Sequence, residues 1–162
     1  MKKHLASLLI ASSLIAGVGL AHEPHQVDVA KLDVADSAKA AAATVDRFFA
    51  ALSAGELDRA GRELDPGVII LESGGAEHSA AEYLAGHAKH DAEFLRSAQH
   101  KLLRRAGRAS GDLAWVASES ELHVQKDGKP MVIASTETMV LRSTLAGWKI
   151  VHVHWSSHAK KQ

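Results

Sequence analysis

The 162-residue chain contains no cysteine, three prolines and few aromatic residues (4%). Without cysteine there can be no disulfide, thiol catalysis, cysteine-ligated zinc or lipid-modified N-terminal cysteine. The chain also lacks a surplus of either charge, because 19 basic residues balance 19 acidic ones. Nucleic-acid binders need a basic surplus to neutralise phosphates, so this composition argues against that class. The fold must therefore be held together by its hydrophobic core.

The longest uncharged run in the sequence lies at the N-terminus. Lys2 and Lys3 provide a positive start, Leu5 to Leu20 is uncharged, and Gly19-Leu20-Ala21 supplies small residues where a signal peptidase cleaves. The run is shorter than the roughly 20 residues of a membrane span. We therefore predict a signal peptide over residues 1–21, an exported protein that is periplasmic or secreted, and no stable membrane anchor.

The rest of the sequence divides into a polar segment, helices and strands. Residues 22–36 are polar and contain Pro24, which predicts a flexible N-terminal segment. Apolar residues then recur every three or four positions, and after Gln99 the period changes to two. Helices followed by consecutive antiparallel strands indicate an α+β fold. The predicted helices are 37–54, which stops at Gly55, 57–64, and 79–95, which begins with the capping box Ser79-Ala80-Ala81-Glu82. The predicted strands are 68–71, 101–110, 113–124, 131–143 and 148–156, and the first of them leads into a predicted loop, Glu72-Ser73-Gly74-Gly75.

Four short motifs occur in the order typical of one family. They are the helix Thr44–Leu52 with Gly55-Glu56-Leu57-Asp58, then Asp65-Pro66-Gly67-Val68, Gly111–Val116 and Gly147–His152. Together they resemble the nuclear transport factor two-like superfamily, specifically its SnoaL-like and ketosteroid-isomerase-like small bacterial proteins. The resemblance gives a domain over residues 37–157, followed by a C-terminal tail, 158–162.

The resemblance implies a cone-shaped, curved antiparallel sheet with three helices packed on its concave face. It further implies a pocket inside the cone and a homodimer formed through the sheet. The same fold hosts isomerases, dehydratases, cyclases and binding proteins, so the function must be argued from the site. The chain has a single tyrosine, Tyr83, and lacks the carboxylate set of ketosteroid isomerases, so we transfer no catalytic residues from them.

Histidines and carboxylates on the strands form the candidate site. Strand alternation places His152 and His154 on one face, and places Glu137 and Glu119 in apolar rows of neighbouring strands. A carboxylate in an apolar row is costly to bury without a partner, and a histidine opposite would provide one. If these rows face the cone interior, one pocket is lined by Glu72, His87, Glu119, Glu137, His152 and His154.

Three functions remain open. The first is an exported protein that binds a small organic molecule in a partly apolar pocket. The second is an enzyme of isomerase, dehydratase or cyclase type, with candidate catalytic residues Glu137, His152 and His154. The third is a His-rich metal-binding or interaction module. No metal motif such as His-Glu-x-x-His is present, so no cofactor is predicted. The candidate ligands for a metal are His87, His90, Asp91, His152 and His154.

Overall fold

The computed structural model describes residues 30–160. The predicted signal peptide, 1–21, and residues 22–29 of the predicted flexible segment lie outside the described residues. The helices are α1 (Lys39–Ala54), α2 (Leu57–Glu63), α3 (Ala80–Ala85) and α4 (His87–Ser97), with a 3-10 turn at Asp36–Ala38. The strands are β1 (Lys31–Val34), β2 (Leu64–Glu72), β3 (Gly75–Glu77), β4 (Gln99–Ser110), β5 (Leu113–Lys126), β6 (Lys129–Thr144) and β7 (Gly147–Ala159).

The seven strands form one sheet in the order β1-β4-β5-β6-β7-β2-β3. Strands β4 to β7 are consecutive antiparallel hairpins, while β1 and β2 pair in parallel with β4 and β7. Helix α1, with α4 beside it, covers one face of the sheet, which we call the concave face; the opposite one is the convex face. The predicted α+β class, a curved sheet with helices on its concave face, is confirmed.

Helix α1 supplies the main apolar stripe of the core. Val45, Phe48 and Leu52 recur at three- and four-residue spacing and are fully buried. Gly55 ends the helix in the left-handed region, with φ 75°, and its backbone N–H donates to carbonyl oxygens of the last turn. Glycine reaches this conformation without a steric penalty, so the predicted stop at Gly55 is confirmed. No helix within residues 30–160 is long and apolar enough to cross a membrane.

The structure differs from the predicted elements in two places beside the site. The single helix predicted over 79–95 is two helices, because the backbone turns at Gly86 (φ −121°, ψ −93°). The predicted loop after Glu72 is a tight turn, in which Ser73 and Gly74 have φ 48° and 88°. The turn brings β3 back along β2, so that Glu77 pairs with Ile70.

Part of the segment predicted to be flexible is a strand. Lys31–Val34 form β1, which pairs in parallel with Arg104–Gly107 of β4. Arg108 reinforces the pairing, since its guanidinium donates to both carboxylate oxygens of Asp33, at 3.0 and 2.9 Å. The strand is short, and three of its four residues are exposed. Its residues do alternate between polar and apolar, but four residues are too short a run to identify a strand from the sequence.

A β-bulge in β7 changes which side chains face the helices. Val140 pairs with His152 and Leu141 pairs with Ile150, so Val151 is an extra residue without a partner position in β6. An extra residue inverts the alternation beyond it. Ile150 and Val153 are accordingly both fully buried, although three positions separate them.

Candidate functional site

A cavity of about 80 Å³ lies between α1, α4 and the concave face of the sheet. One side is apolar, with phenylalanine, leucine and tryptophan side chains. The other carries three carboxyl groups, four serines and one histidine, and no lysine or arginine from the described part of the chain lines it. The lining residues are Phe49, Leu52, Glu72, Asp91, Phe94, Leu95, His100, Ser118, Ser120, Leu122, Ser135, Glu137, Trp155 and Ser157.

Glu137 is the buried carboxyl group of the cavity. Its cross-strand partners are Ser118 on β5 and Trp155 on β7, and the indole Nε1 of Trp155 donates to Glu137 Oε2 at 3.1 Å. Burial raises the pKa of Glu137, whereas hydrogen bonds from Trp155 and Ser118 and the charge of Arg105 act in the opposite direction. Because burial outweighs these, Glu137 holds its proton more tightly than an exposed glutamate does.

A buried arginine on β4, Arg105, contacts the serine that lies beside Glu137. Arg105 Nε donates to Ser118 Oγ at 3.0 Å, and its Nη1 donates to Asp46 on α1. These contacts join α1 to two strands of the sheet and fix the hydroxyl next to Glu137. Arg105 is only 7% exposed, so its charge is largely shielded from water.

The aromatic side of the cavity is a set of contacting rings. Trp155 stacks on Phe48 with ring centroids 6.3 Å apart, and the edge of Phe49 meets Trp155 at the same distance. His100 stacks on Phe49 at 5.5 Å. Desolvation, with a smaller contribution from the charge of Arg105, lowers the pKa of His100 and favours its neutral ring.

A second polar group, the β2–α4 cluster, consists of Glu72, Glu77, Tyr83, His87 and Asp91. Glu77 Oε1 accepts a hydrogen bond from His87 Nδ1 at 2.9 Å, and Asp91 Oδ2 accepts one from the Tyr83 hydroxyl at 2.7 Å. His87 Nε2 stands 3.8 Å from Glu72 Oε2 and 3.9 Å from Asp91 Oδ1. The cluster adjoins the cavity, because Glu72 and Asp91 also line it.

Burial raises the pKa values of both cavity-lining carboxyl groups of this cluster, and each is further affected by its neighbours. The charge of Asp91 raises the pKa of Glu72 further. The hydrogen bond from Tyr83 acts in the opposite direction on the pKa of Asp91. Desolvation lowers the pKa of His87, but its hydrogen bond to Glu77 and the nearby carboxylates outweigh this, so the pKa is raised. Burial and Asp91 raise the pKa of the Tyr83 hydroxyl, which stays protonated as a donor.

Local sequence explains how α3 and α4 position this cluster. Ser79 caps α3, because its Oγ accepts a hydrogen bond from the Glu82 backbone N–H at 3.1 Å. The Glu82 carboxylate reaches back to the His78 backbone N–H at 2.8 Å rather than to that of Ser79, so the predicted capping box forms in part. The break at Gly86 makes His87 the first residue of α4. His87 and Asp91 then lie one turn apart on the same side of that helix.

The structure brings together only part of the predicted site. Glu72 and Glu137 line the cavity, and His87 lies beside Glu72. Glu119 instead lies on the convex face, with its carboxylate 3.4 Å from Arg104 Nε. The even-numbered residues of β5 face the helices there, so the odd-numbered Glu119 points away from them.

His152 and His154 are also on the convex face, which corrects the predicted placement. The bulge at Val151 puts Val153 and Trp155 on the concave face in their place. The predicted pairing of Glu137 with either histidine is therefore contradicted, because the sheet separates them. His90 is exposed on α4 and outside the cluster, so of the five candidate metal ligands the structure brings together His87 and Asp91.

Several residues of the site had no recognisable sequence pattern. Glu77 reaches His87 only through the β2–β3 turn, and Ser118 and Trp155 reach Glu137 only through strand pairing. The spacing of Tyr83, His87 and Asp91 does place them on a shared face, and this was the one available indication of the β2–α4 cluster.

Comparison with known proteins identifies the family. A SnoaL-like domain matches residues 41–160. A Shewanella frigidimarina protein provisionally named a ketosteroid isomerase is 30% identical over 76% of this chain and 99% of its own, with a TM-score of 0.69. The S. rosetta CaMKII hub is 25% identical, with 76% and 98% coverage and a TM-score of 0.63. No curated protein matches the sequence.

A more distant structure has the same fold. A Streptomyces avermitilis protein provisionally named a dehydratase of the nuclear transport factor two-like family is 17% identical, with 74% and 94% coverage and a TM-score of 0.60. The domain match spans most of the chain and agrees with the motifs, the sheet order and the cavity. The chain therefore belongs to the SnoaL-like family, within the nuclear transport factor two-like fold.

Proposed function

We propose that this is an exported protein that binds a small, partly apolar organic molecule in the cavity on the concave face. The observation that carries the proposal is the buried carboxyl group of Glu137 beside Trp155, where the polar side of the cavity meets its aromatic side. Pockets of this kind use apolar contact for affinity and a few polar groups for orientation.

The two sides of the cavity suggest the kind of molecule that fits. Phe49, Phe94 and Trp155 offer ring faces and edges to a flat or aliphatic body. Glu137, whose raised pKa favours the neutral acid, can donate a hydrogen bond to a carbonyl or hydroxyl oxygen. A small ketone with an apolar ring combines both features.

Acetophenone and ethylbenzene are matched probes for this proposal, since they differ in the carbonyl. We expect acetophenone to bind about three- to tenfold more tightly in ligand-observed NMR titrations, as one hydrogen bond allows. Glu137→Leu should remove this preference and Glu137→Gln, which keeps a donor, should restore it. Glu119→Gln on the convex face is the control.

Two results would contradict the proposal. One is equal affinity of the wild-type protein for both probes, or an unchanged preference in Glu137→Leu. The other is failure of both probes to bind, together with no organic passenger in a native mass spectrum of the untagged protein. The same spectrum, taken after expression with the natural N-terminus, tests export by showing whether residues 1–21 have been removed.

A second candidate function is catalysis of the isomerase or dehydratase type. It is favoured by the same neutral acid, because a carboxylic acid held protonated in an apolar cavity can polarise a substrate carbonyl. Turnover of a cyclic enone or a β-hydroxy ketone should then fall about 10²–10⁴-fold in Glu137→Leu. If the wild-type protein bound these compounds without turning them over, catalysis would be contradicted and the binding function would stand.

The convex face favours self-association of the chain. Leu113, Trp115 and Ile69 on this face are 49%, 41% and 43% exposed, which is unusual for such large apolar side chains. A second copy packed on the face would cover them. We therefore propose a homodimer formed through the convex face of the sheet.

A further inference from the structure

Three potential metal ligands converge in the β2–α4 cluster. They are the side chains of Glu72, His87 and Asp91, each of which offers one ligand atom within 4.8 Å of the other two. His87 Nε2 stands 3.8 Å from Glu72 Oε2 and 3.9 Å from Asp91 Oδ1, which is too far for a hydrogen bond. The three atoms therefore face each other without bonding to each other.

In His87 and Asp91, the side-chain atom that points away from the other two groups is held by a hydrogen bond. Glu77 can only accept at His87 Nδ1, so this nitrogen donates, and in the neutral ring Nε2 then presents its lone pair toward Glu72 and Asp91. A second hydrogen bond, from the Tyr83 hydroxyl, holds the other oxygen of Asp91. Carboxylate and hydroxyl partners of this kind orient metal-binding histidines and carboxylates in proteins.

Glu72 provides independent support, because one of its oxygens is buried without a partner. Oε2, the oxygen that faces His87 Nε2, is shielded from solvent and has no hydrogen-bond donor within the described chain. A buried acceptor without a donor is costly, and most such atoms in folded proteins are paired. A cation at the point where the three atoms converge would satisfy it.

We propose that Glu72, His87 and Asp91 bind a divalent transition-metal ion, with Zn²⁺ as the representative. Zinc binds histidine nitrogen and carboxylate oxygen at about 2.0–2.2 Å, which in a tetrahedral site places the ligand atoms about 3.3–3.6 Å apart. The observed 3.8 and 3.9 Å separations require movements of a few tenths of an ångström, and the two carboxylates, whose ligand atoms lie within 4.8 Å of each other, would close the remaining distance. An imidazole beside two carboxylates favours such an ion over Mg²⁺ or Ca²⁺, which prefer oxygen ligands alone.

Three protein ligands leave a fourth position of a tetrahedral ion open. Glu72 and Asp91 line the cavity, so the ion would border the space assigned above to the organic molecule. The metal site nevertheless does not depend on the identity of that molecule. It can be tested with the metal alone, and its failure would leave the binding experiments with acetophenone unaffected.

Co²⁺ is a suitable first probe, because its visible absorption reports coordination by nitrogen and oxygen. Metal-free, untagged protein should take up one Co²⁺ per chain and release it to Zn²⁺. We expect Glu72→Gln, His87→Gln and Asp91→Asn each to weaken binding at least about tenfold, and Glu77→Gln to weaken it about 10- to 100-fold through His87. The matched control is the double variant His152→Ala/His154→Ala, which should bind as the wild type does.

The outcomes distinguish metal binding at this site from metal binding at other histidines. Loss of the Co²⁺ spectrum in the His152→Ala/His154→Ala variant, with binding retained in His87→Gln, would overturn the proposal, as would absence of binding by the wild type. Circular dichroism checks that each variant folds. If a variant does not fold, ¹⁵N-histidine NMR of the wild-type protein tests the site instead. Zn²⁺ should shift the resonance of His87 Nε2 first. A shift confined to other histidines would also overturn the proposal.

Discussion

Glu137 and Trp155 are direct cross-strand partners on β6 and β7, and the indole Nε1 of Trp155 donates to Glu137 Oε2 at 3.1 Å. On its other side Trp155 pairs with Glu72 of β2. One tryptophan therefore stands between the buried carboxyl group of the cavity and the nearest residue of the β2–α4 cluster. This arrangement connects the apolar wall, the buried acid and the proposed metal site in three adjacent strands.

Trp155→Phe should destabilise the protein by about 1–3 kcal/mol. The substitution keeps an aromatic ring beside Phe48 but leaves a buried carboxyl group without one of its donors. Urea unfolding followed by circular dichroism measures the change. Leu145→Ala in the turn between β6 and β7, whose side chain is fully exposed, should change the free energy of unfolding by less than about 0.5 kcal/mol. Equal effects of the two substitutions would contradict this account.

Glu137→Gln should change how stability depends on pH. The native protein holds the proton of Glu137 more tightly than the unfolded chain, in which the pKa is about 4.5. Its stabilising contribution is therefore complete below that pH and is lost as the pH rises through the higher pKa of the folded state. The glutamine variant does not titrate, so wild-type stability should fall relative to it as the pH increases.

Unfolding titrations of both proteins between pH 4.5 and about 8 test this. The control is Glu119→Gln, which removes an exposed carboxylate and should follow the wild-type curve. A difference between wild type and Glu137→Gln that stays constant across this range would show that burial does not raise the pKa of Glu137.

Gly55→Ala should destabilise the protein by about 1–2 kcal/mol. Gly55 has φ 75°, a conformation that an alanine side chain disfavours. A Cβ atom there would meet only the tip of the Arg96 side chain, which can move away at little cost, so the backbone conformation determines the penalty. Gly55→Asn should cost less, because asparagine tolerates the left-handed region. Thermal and urea unfolding would report the order, and an alanine variant as stable as the asparagine variant would contradict it.

Trp115→Glu should convert the proposed dimer into a monomer. A carboxylate at the centre of a buried apolar interface is costly to desolvate, so association should weaken by at least about 10²-fold. Light scattering after size exclusion, over a range of protein concentrations, measures this. Glu119→Gln, on the same face and strand, should remain dimeric. A wild-type protein that is monomeric at all concentrations would refute the proposed interface.

The fold could be predicted in outline because most of its elements have a clear periodicity. The buried stripe of α1 and the alternation in β5 identify those elements from local sequence alone. The short strands β1 and β3 could not be found in this way, since β1 is held by hydrogen bonds to the distant β4 and β3 is only three residues long. The break at Gly86 was missed because the apolar spacing continues through it.

The site was less predictable than the fold for a geometric reason. Glu137 lies in a regular part of β6, so its neighbours in the alternation indicated its face correctly. His152 and His154 follow the bulge at Val151, where counting by two fails. The contact of Glu77 with His87 depends on the turn after Glu72 and on the position of α4. Neither is determined by the local sequence.

The bulge at Val151 shifts the alternation of side chains along β7 by one residue. Residues before it and after it are assigned to the two sides of the sheet by opposite rules. Flattening the bulge without deleting a residue would therefore shift β7 by one position and exchange the contents of the cavity wall, with His152 and His154 replacing Val153 and Trp155. A scaffold with this feature can present a different set of chemical groups through a one-residue slip of one strand, without substituting any side chain.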